Sequence, residues 1–145
     1  MSKYLIINGP NLNMLGIREP AVYGNRTYED LCGFIKNFAD GLGAEVDFFQ
    51  NNCEGEIVTK IQETLGRYDG IVMNPGAYAH YSYAIHDAIK SVTTPCVEVH
   101  ISDISKREEF RRTSVTAPAC IKMISGMGFD GYNMALEYLE NEKNR

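Results

Sequence analysis

Long apolar runs are missing from this chain: no stretch approaches the ~20 residues a membrane-spanning helix needs, so no span is expected. The opening Met1 to Ile7 is too short for the apolar part of a signal peptide and runs directly into Asn8-Gly9-Pro10, so none is expected. Positive charge is scarce. Lys and Arg number 14 against 19 Asp and Glu, leaving a net charge of -5, which disfavours nucleic acid and anionic membrane as partners. The four cysteines at 32, 53, 96 and 120 form no Cys-x-x-Cys, and no histidine stands near a cysteine pair at ligand spacing. Free thiols in a reducing compartment, the cytoplasm, are expected, and no structural zinc.

Several site motifs are absent as well. There is no Gly-x-x-x-x-Gly-Lys and no Gly-x-Ser-x-Gly, which weakens P-loop and serine-hydrolase readings, and the one Gly-x-Gly-x-x-Gly, Gly126 to Gly131, stands late in the chain rather than after the first strand, which leaves a dinucleotide reading weak. A receiver domain would want an acidic pair after the first strand, where Asn8 stands. His80 and His86 are six apart and cannot share one helix face as a metal pair. No lysine stands at a strand's carboxyl end in apolar surroundings, so a Schiff-base nucleophile is also missing.

What is present is an alternation. The chain has 145 residues, 44% hydrophobic and 23% charged, the balance of one globular domain over 1–145. Tyr4 to Ile7 is a continuous apolar run of the kind a parallel strand buries on both faces. Thr27-x-x-Asp30 resembles a capping pattern, followed by Leu31, Phe34, Ile35, Phe38 and Leu42 at helical spacing, with Gly41 and Gly43 at the end. Val46 to Phe49, Gly70 to Met73, Pro95 to Ile101 and Cys120 to Ile124 read as four more strands. Helices are expected around Ile57 to Leu65, Ala84 to Ile89 and Asn133 to Asn144, with a short polar helix over Lys106 to Arg112. This spacing suits βαβ crossovers and predicts an α/β three-layer sandwich: a flavodoxin-like, five-stranded parallel sheet with helices on both faces. The Gly9 to Arg26 stretch is long, polar and rich in Gly and Pro, as functional lids often are.

Open parallel sheets bind ligands outside the carboxyl ends of their strands. There the sequence places Asn8 and Asn11 after the first strand, Gln50, Asn51 and Asn52 after the second, and Asn74, Tyr78 and His80 after the third. His100, Ser102 and Asp103 follow the fourth. Such an edge offers many directional hydrogen bonds, the need of a polyhydroxylated ligand. Turn residues after strands are also ordinary, so pattern alone leaves a plain structural explanation open.

The run Asn8-Gly9-Pro10-Asn11-Leu12-Asn13-Met14-Leu15-Gly16, with Arg18-Glu19-Pro20 and Tyr23-Gly24, strongly resembles the opening of the type II 3-dehydroquinate dehydratases. Further blocks match in order: Asn52-x-Glu54-Gly55; Asn74-Pro75-Gly76-Ala77-Tyr78 with His80, Ser82 and Asp87-Ala88; Glu98-Val99-His100-Ile101-Ser102 with Arg107 to Arg111 and Ser114; and Gly126-x-Gly128 with Gly131-Tyr132. The chain departs from the usual pattern at Ala79, Tyr81, Asp103 and Val115.

The resemblance implies a cofactor-free, metal-free lyase that dehydrates 3-dehydroquinate to 3-dehydroshikimate through an enolate, as in the shikimate pathway of aromatic amino acid biosynthesis. It implies Tyr23 as base, ionised with the help of the Arg18 cation, and His100 as general acid. Glu98, two residues earlier on the same strand, shares the face of His100 and could hold or charge its ring. Asn11 corresponds to the residue that fixes a water against the enolate oxygen. Asn74, His80, Arg111 and the backbone of Ile101 and Ser102 correspond to substrate-binding positions; the planar Arg111 fork suits a carboxylate. Asp87 corresponds to a residue that reaches a neighbouring subunit's site, within a homododecamer built as a tetramer of trimers. His86 is expected to be structural or at the surface. The competing expectation is a flavodoxin-like module that binds a nucleotide or flavin without catalysis; a third is a degenerate relative that only binds hydroxy acids.

Overall fold

A computed structural model describes residues 1–17 and 19–145, apart from the side chains of Val22 and Tyr23. Five strands form one parallel sheet: β1 (Lys3–Asn8), β2 (Glu45–Gln50), β3 (Gly70–Asn74), β4 (Cys96–His100) and β5 (Lys122–Ser125). Their spatial order is β2-β1-β3-β4-β5, the flavodoxin-like order. The chain leaves β1 toward β2 on one side and returns to β3 on the other. That reversal opens a crevice at the carboxyl ends of β1 and β3.

Alternation within each strand divides the core. Tyr4, Ile6, Val72, Val97, Val99 and Ile124 pack on one face with the buried residues of α2 (Tyr28–Leu42) and α5 (Asp130–Lys143). Leu5, Ile7, Ile71, Met73 and Cys96 pack on the other with α3 (Glu54–Gln62) and α4 (Tyr83–Lys90). Period two drives this split, and burial of each large side chain contributes about 1.5–3 kcal/mol. A four-residue helix, α1 (Pro20–Tyr23), interrupts the connection from β1 to α2. No helix among the described residues is long and apolar enough to cross a membrane.

Local chemistry sets the helix ends. Thr27 accepts from the Asp30 N–H while the Asp30 carboxylate accepts from the Thr27 N–H, a reciprocal cap for α2. Gly43, at φ 72°, closes the same helix, whereas Gly41 stays inside it. The Ser82 hydroxyl caps α4 by accepting from the Ile85 N–H. Two expectations are corrected. Lys106 to Arg112 is not one helix but two separate 3₁₀ turns, Ile104–Lys106 and Glu109–Arg111, and a third such turn follows at Ala117–Ala119. The segment carries too little apolar periodicity to seat a helix on the sheet. The last strand begins at Lys122, not at Cys120, because Cys120 completes the third turn by donating its N–H to the Ala117 carbonyl.

Candidate active site

Backbone contact between two loops builds one wall of the crevice. A Cβ on Gly9 would stand 2.4 Å from the Pro75 carbonyl oxygen, so only glycine lets the loop after β1 lie on the loop after β3. Gly76, at φ 61°, lies less tightly against Pro10, whose carbonyl oxygen would stand 3.0 Å from an added Cβ. Asn11 takes the left-handed conformation at φ 71°, which asparagine tolerates better than most residues. Its N–H donates to the Asn52 side-chain oxygen at 3.1 Å. Gln50 Nε2 spans the same region, donating to the Gly9 carbonyl and to Asn52 Oδ1.

Asn74 ends β3 and is 5% exposed. Its Oδ1 accepts from the Gly76 N–H at 3.1 Å and its Nδ2 donates to the Tyr132 hydroxyl at 3.1 Å. That hydroxyl donates in turn to Asn8 Oδ1 at 2.6 Å. Burial pushes the Tyr132 phenol well above its ordinary range, with the Asn74 hydrogen bond opposing, so it remains a neutral relay between two amides.

The opposite wall carries charge. His100, at the end of β4, and Glu98, fully buried two residues earlier, project to the same side of the sheet, as period two requires. His100 Nε2 lies 2.6 Å from Glu98 Oε2. The His80 ring stacks near His100, with centroids 6.3 Å apart and planes at 23°. Nδ1 of His80 donates to the Thr113 carbonyl at 2.9 Å, leaving Nε2 as its other nitrogen. Burial lowers the His80 ring below ordinary imidazole; the Thr113 bond opposes this, and nearby His100 and Arg111 add to the drop. Arg111 Nε is held by Glu108 Oε2 at 2.6 Å, and the Arg111 cation holds the Glu108 carboxyl below its ordinary range.

These walls enclose one cleft. It is lined by Asn11, Asn74, His80, His100, Ile101, Ser102 and Arg111, seven of the residues singled out from the sequence, together with Pro10, Leu12, Leu15 and Arg107. Glu98 stands behind His100 rather than on the surface of the cleft. Asp87 is exposed on α4 and does not line the cleft of its own chain. Arg18 and the side chain of Tyr23 lie outside the described residues; the Tyr23 backbone ends α1.

Four residues that sequence reasoning gave no role also build the site. Arg107 donates to the Ser102 hydroxyl at 3.0 Å and approaches Glu19 at 3.4 Å, linking the cleft to the segment that carries Tyr23. Its signal was the polar run from Lys106 to Arg112, which contained a second cleft-facing guanidinium. Tyr132 stood in the Gly131-Tyr132 match without a role, because local pattern does not reveal where a hydroxyl points. Ser114 and Thr116, which reach Glu98, sit in an irregular connection without any local signal.

A chain with net charge -5 therefore presents a cleft of two guanidiniums, two imidazoles and neutral amides. This arrangement can hold an anionic, hydroxylated molecule and exchange a proton with it. Residues 2–140 match the family model described as dehydroquinase class II. A 3-dehydroquinate dehydratase of Clostridium acetobutylicum is 60% identical over 139 residues, 96% of each chain. One from Caldicellulosiruptor bescii is 57% identical over 97% of each. The solved type II dehydroquinase of Butyrivibrio crossotus superposes with a TM-score of 0.94 at 52% identity, covering 96% of this chain and 97% of that one. The chain belongs to the class II dehydroquinase family.

Proposed function

We propose that the protein dehydrates 3-dehydroquinate to 3-dehydroshikimate, in the shikimate pathway and in the cytoplasm. The observation that carries the proposal is the His100–Glu98 pair at the floor of a basic, amide-lined cleft at the sheet's carboxyl rim. In this reaction the base removes the proton alpha to the ketone, and the electron pair moves onto the carbonyl oxygen as an enolate. When the enolate collapses, the carbon–carbon double bond forms, the beta carbon–oxygen bond breaks, and the departing hydroxyl takes a proton to leave as water. We assign the base to the Tyr23 phenolate, supported by Arg18, and the acid to His100. A proton donor or acceptor placed in this way contributes about 10²–10⁴-fold.

Asn11 would fix the water that steadies the enolate oxygen. Arg111 would take the substrate carboxylate in a two-point fork, and Asn74, His80 and the Ile101 and Ser102 backbone its remaining oxygens. No metal or cofactor is required by these steps. Asp87, exposed on α4, would serve the cleft of a neighbouring subunit in a dodecamer of four trimers.

Purified protein mixed with 3-dehydroquinate, without added metal, is expected to generate the ultraviolet absorbance of a conjugated enone. Tyr23→Phe is expected to lower turnover at least 10²-fold with substrate binding largely kept. Full activity in that variant would overturn the assigned base. A coloured or nucleotide-loaded preparation without turnover would favour a binding module instead.

A further inference from the structure

Glu98 raises a question that the dehydration steps leave open: what keeps a fully buried carboxylate in place behind the acid? Burying such a charge is costly unless hydrogen bonds satisfy it. Three groups converge on its two oxygens. His100 Nε2 lies 2.6 Å and Ser114 Oγ 2.6 Å from Oε2, while Thr116 Oγ1 donates to Oε1. Ser114 Oγ already accepts the Ala117 N–H at 3.0 Å, so its own proton is free to go to Glu98. With hydroxyl protons supplied on both oxygens, the ring contributes Nε2–H, and Nδ1 is the nitrogen left for the cleft.

The segment bearing these hydroxyls is itself clamped. The Val115 N–H donates to the Ala79 carbonyl at 2.7 Å, His86 Nδ1 donates to the Val115 carbonyl at 2.7 Å, and His80 Nδ1 to that of Thr113. Residues 113–117 thus form a rigid bracket between a cleft-lining histidine and the carboxylate behind the acid. Ser114 Oγ also holds the Ala117 N–H of the following turn, and both hydroxyls direct their protons to the carboxylate.

We propose that Ser114 and Thr116 are positioning residues for the proton donor: their hydroxyls fix the Glu98 carboxylate, which holds His100 with Nε2–H inward and Nδ1 facing the substrate. The proposal rests on the dehydration assigned above and extends it to the groups behind His100. Among the described residues, the charged and titratable groups around this ring are Glu98 on its own strand, His80 from the turn after β3, and Arg107 and Arg111 from the connection after β4.

The test compares Thr116→Val, Thr116→Ser and Ser114→Ala with the native protein, reading kcat and KM on 3-dehydroquinate. Removing a hydrogen bond to a buried charged group changes an equilibrium about tenfold or more. Thr116→Val is expected to lower kcat about tenfold with KM within about twofold. Thr116→Ser restores the hydroxyl and is expected to restore kcat. If Thr116→Val does not fold, Ser114→Ala carries the same expectation through Oε2. Nitrogen-15 spectra of the His100 ring should show protonated Nε2 in the native neutral form and a mixture of tautomers after Thr116→Val. Native kcat and an unchanged His100 tautomer in a folded Thr116→Val or Ser114→Ala, with only thermal stability reduced, would overturn the proposal while leaving the dehydration intact. A native protein without turnover would overturn both.

Discussion

The two walls of the cleft solve the burial of polar groups in different ways. On the β1–β3 side the buried groups are neutral: Asn8, Tyr132 and Asn74 pass hydrogen bonds along a chain of dipoles, and glycines let two backbones touch. On the β4 side a formal charge is buried, and it is met by an imidazole and two hydroxyls. Neutral networks fix shape at low electrostatic cost. Charged ones are harder to bury but can hold or release a proton. The difference teaches what each wall can offer a ligand: the amide wall presents neutral dipoles to a hydroxylated ring, and the charged wall presents guanidiniums to an anion and an imidazole that can carry a proton.

The comparison breaks most sharply at Tyr132. Tyr132→Phe leaves Asn8 Oδ1 and Asn74 Nδ2 without their shared partner in a buried setting, at a cost of about 1–3 kcal/mol per unsatisfied group. Urea denaturation should record that loss. Because Asn74 then loses one of its two tethers, KM should rise several-fold while kcat changes little. A fall in kcat at constant KM would mean that the amide wall takes part in proton transfer.

A smaller effect sharpens the other side. Burial lowers the His80 ring, so the folded protein binds its proton less readily than the unfolded chain does. As pH falls through the ordinary imidazole range near ~6.5, the unfolded state takes up the proton first and stability declines. Above that range the ring is neutral in both states and the difference vanishes. His80→Gln should therefore flatten the decline in melting temperature between neutral and mildly acidic pH. An unchanged slope would place the acid sensitivity elsewhere.

Much of the frame was legible in the sequence. Apolar runs and βαβ spacing located all five strands, because a doubly covered parallel sheet needs continuous apolar segments. The Thr27–Asp30 cap appeared as written. Asn11, Asn74, His80, His100 and Ser102 could be named because strand ends in this topology converge on one rim, whereas Arg111 was named from the family resemblance. What stayed hidden depends on contacts distant in sequence. Ser114 and Thr116 meet Glu98 across 16 and 18 residues of irregular chain, and Tyr132 meets Asn8 across 124. No periodicity encodes such pairings. The expected helix over Lys106 to Arg112 failed for a related reason: its charged residues turn toward the cleft and toward one another instead of seating on the sheet.

The central claim is that the imidazole on the charged wall delivers the proton to the departing hydroxyl. Its most direct test is turnover of 3-dehydroquinate by His100→Asn, with substrate affinity measured in parallel. The account predicts a fall in kcat of about 10²–10⁴-fold with affinity changed far less. Turnover near the native rate in the folded variant would contradict it.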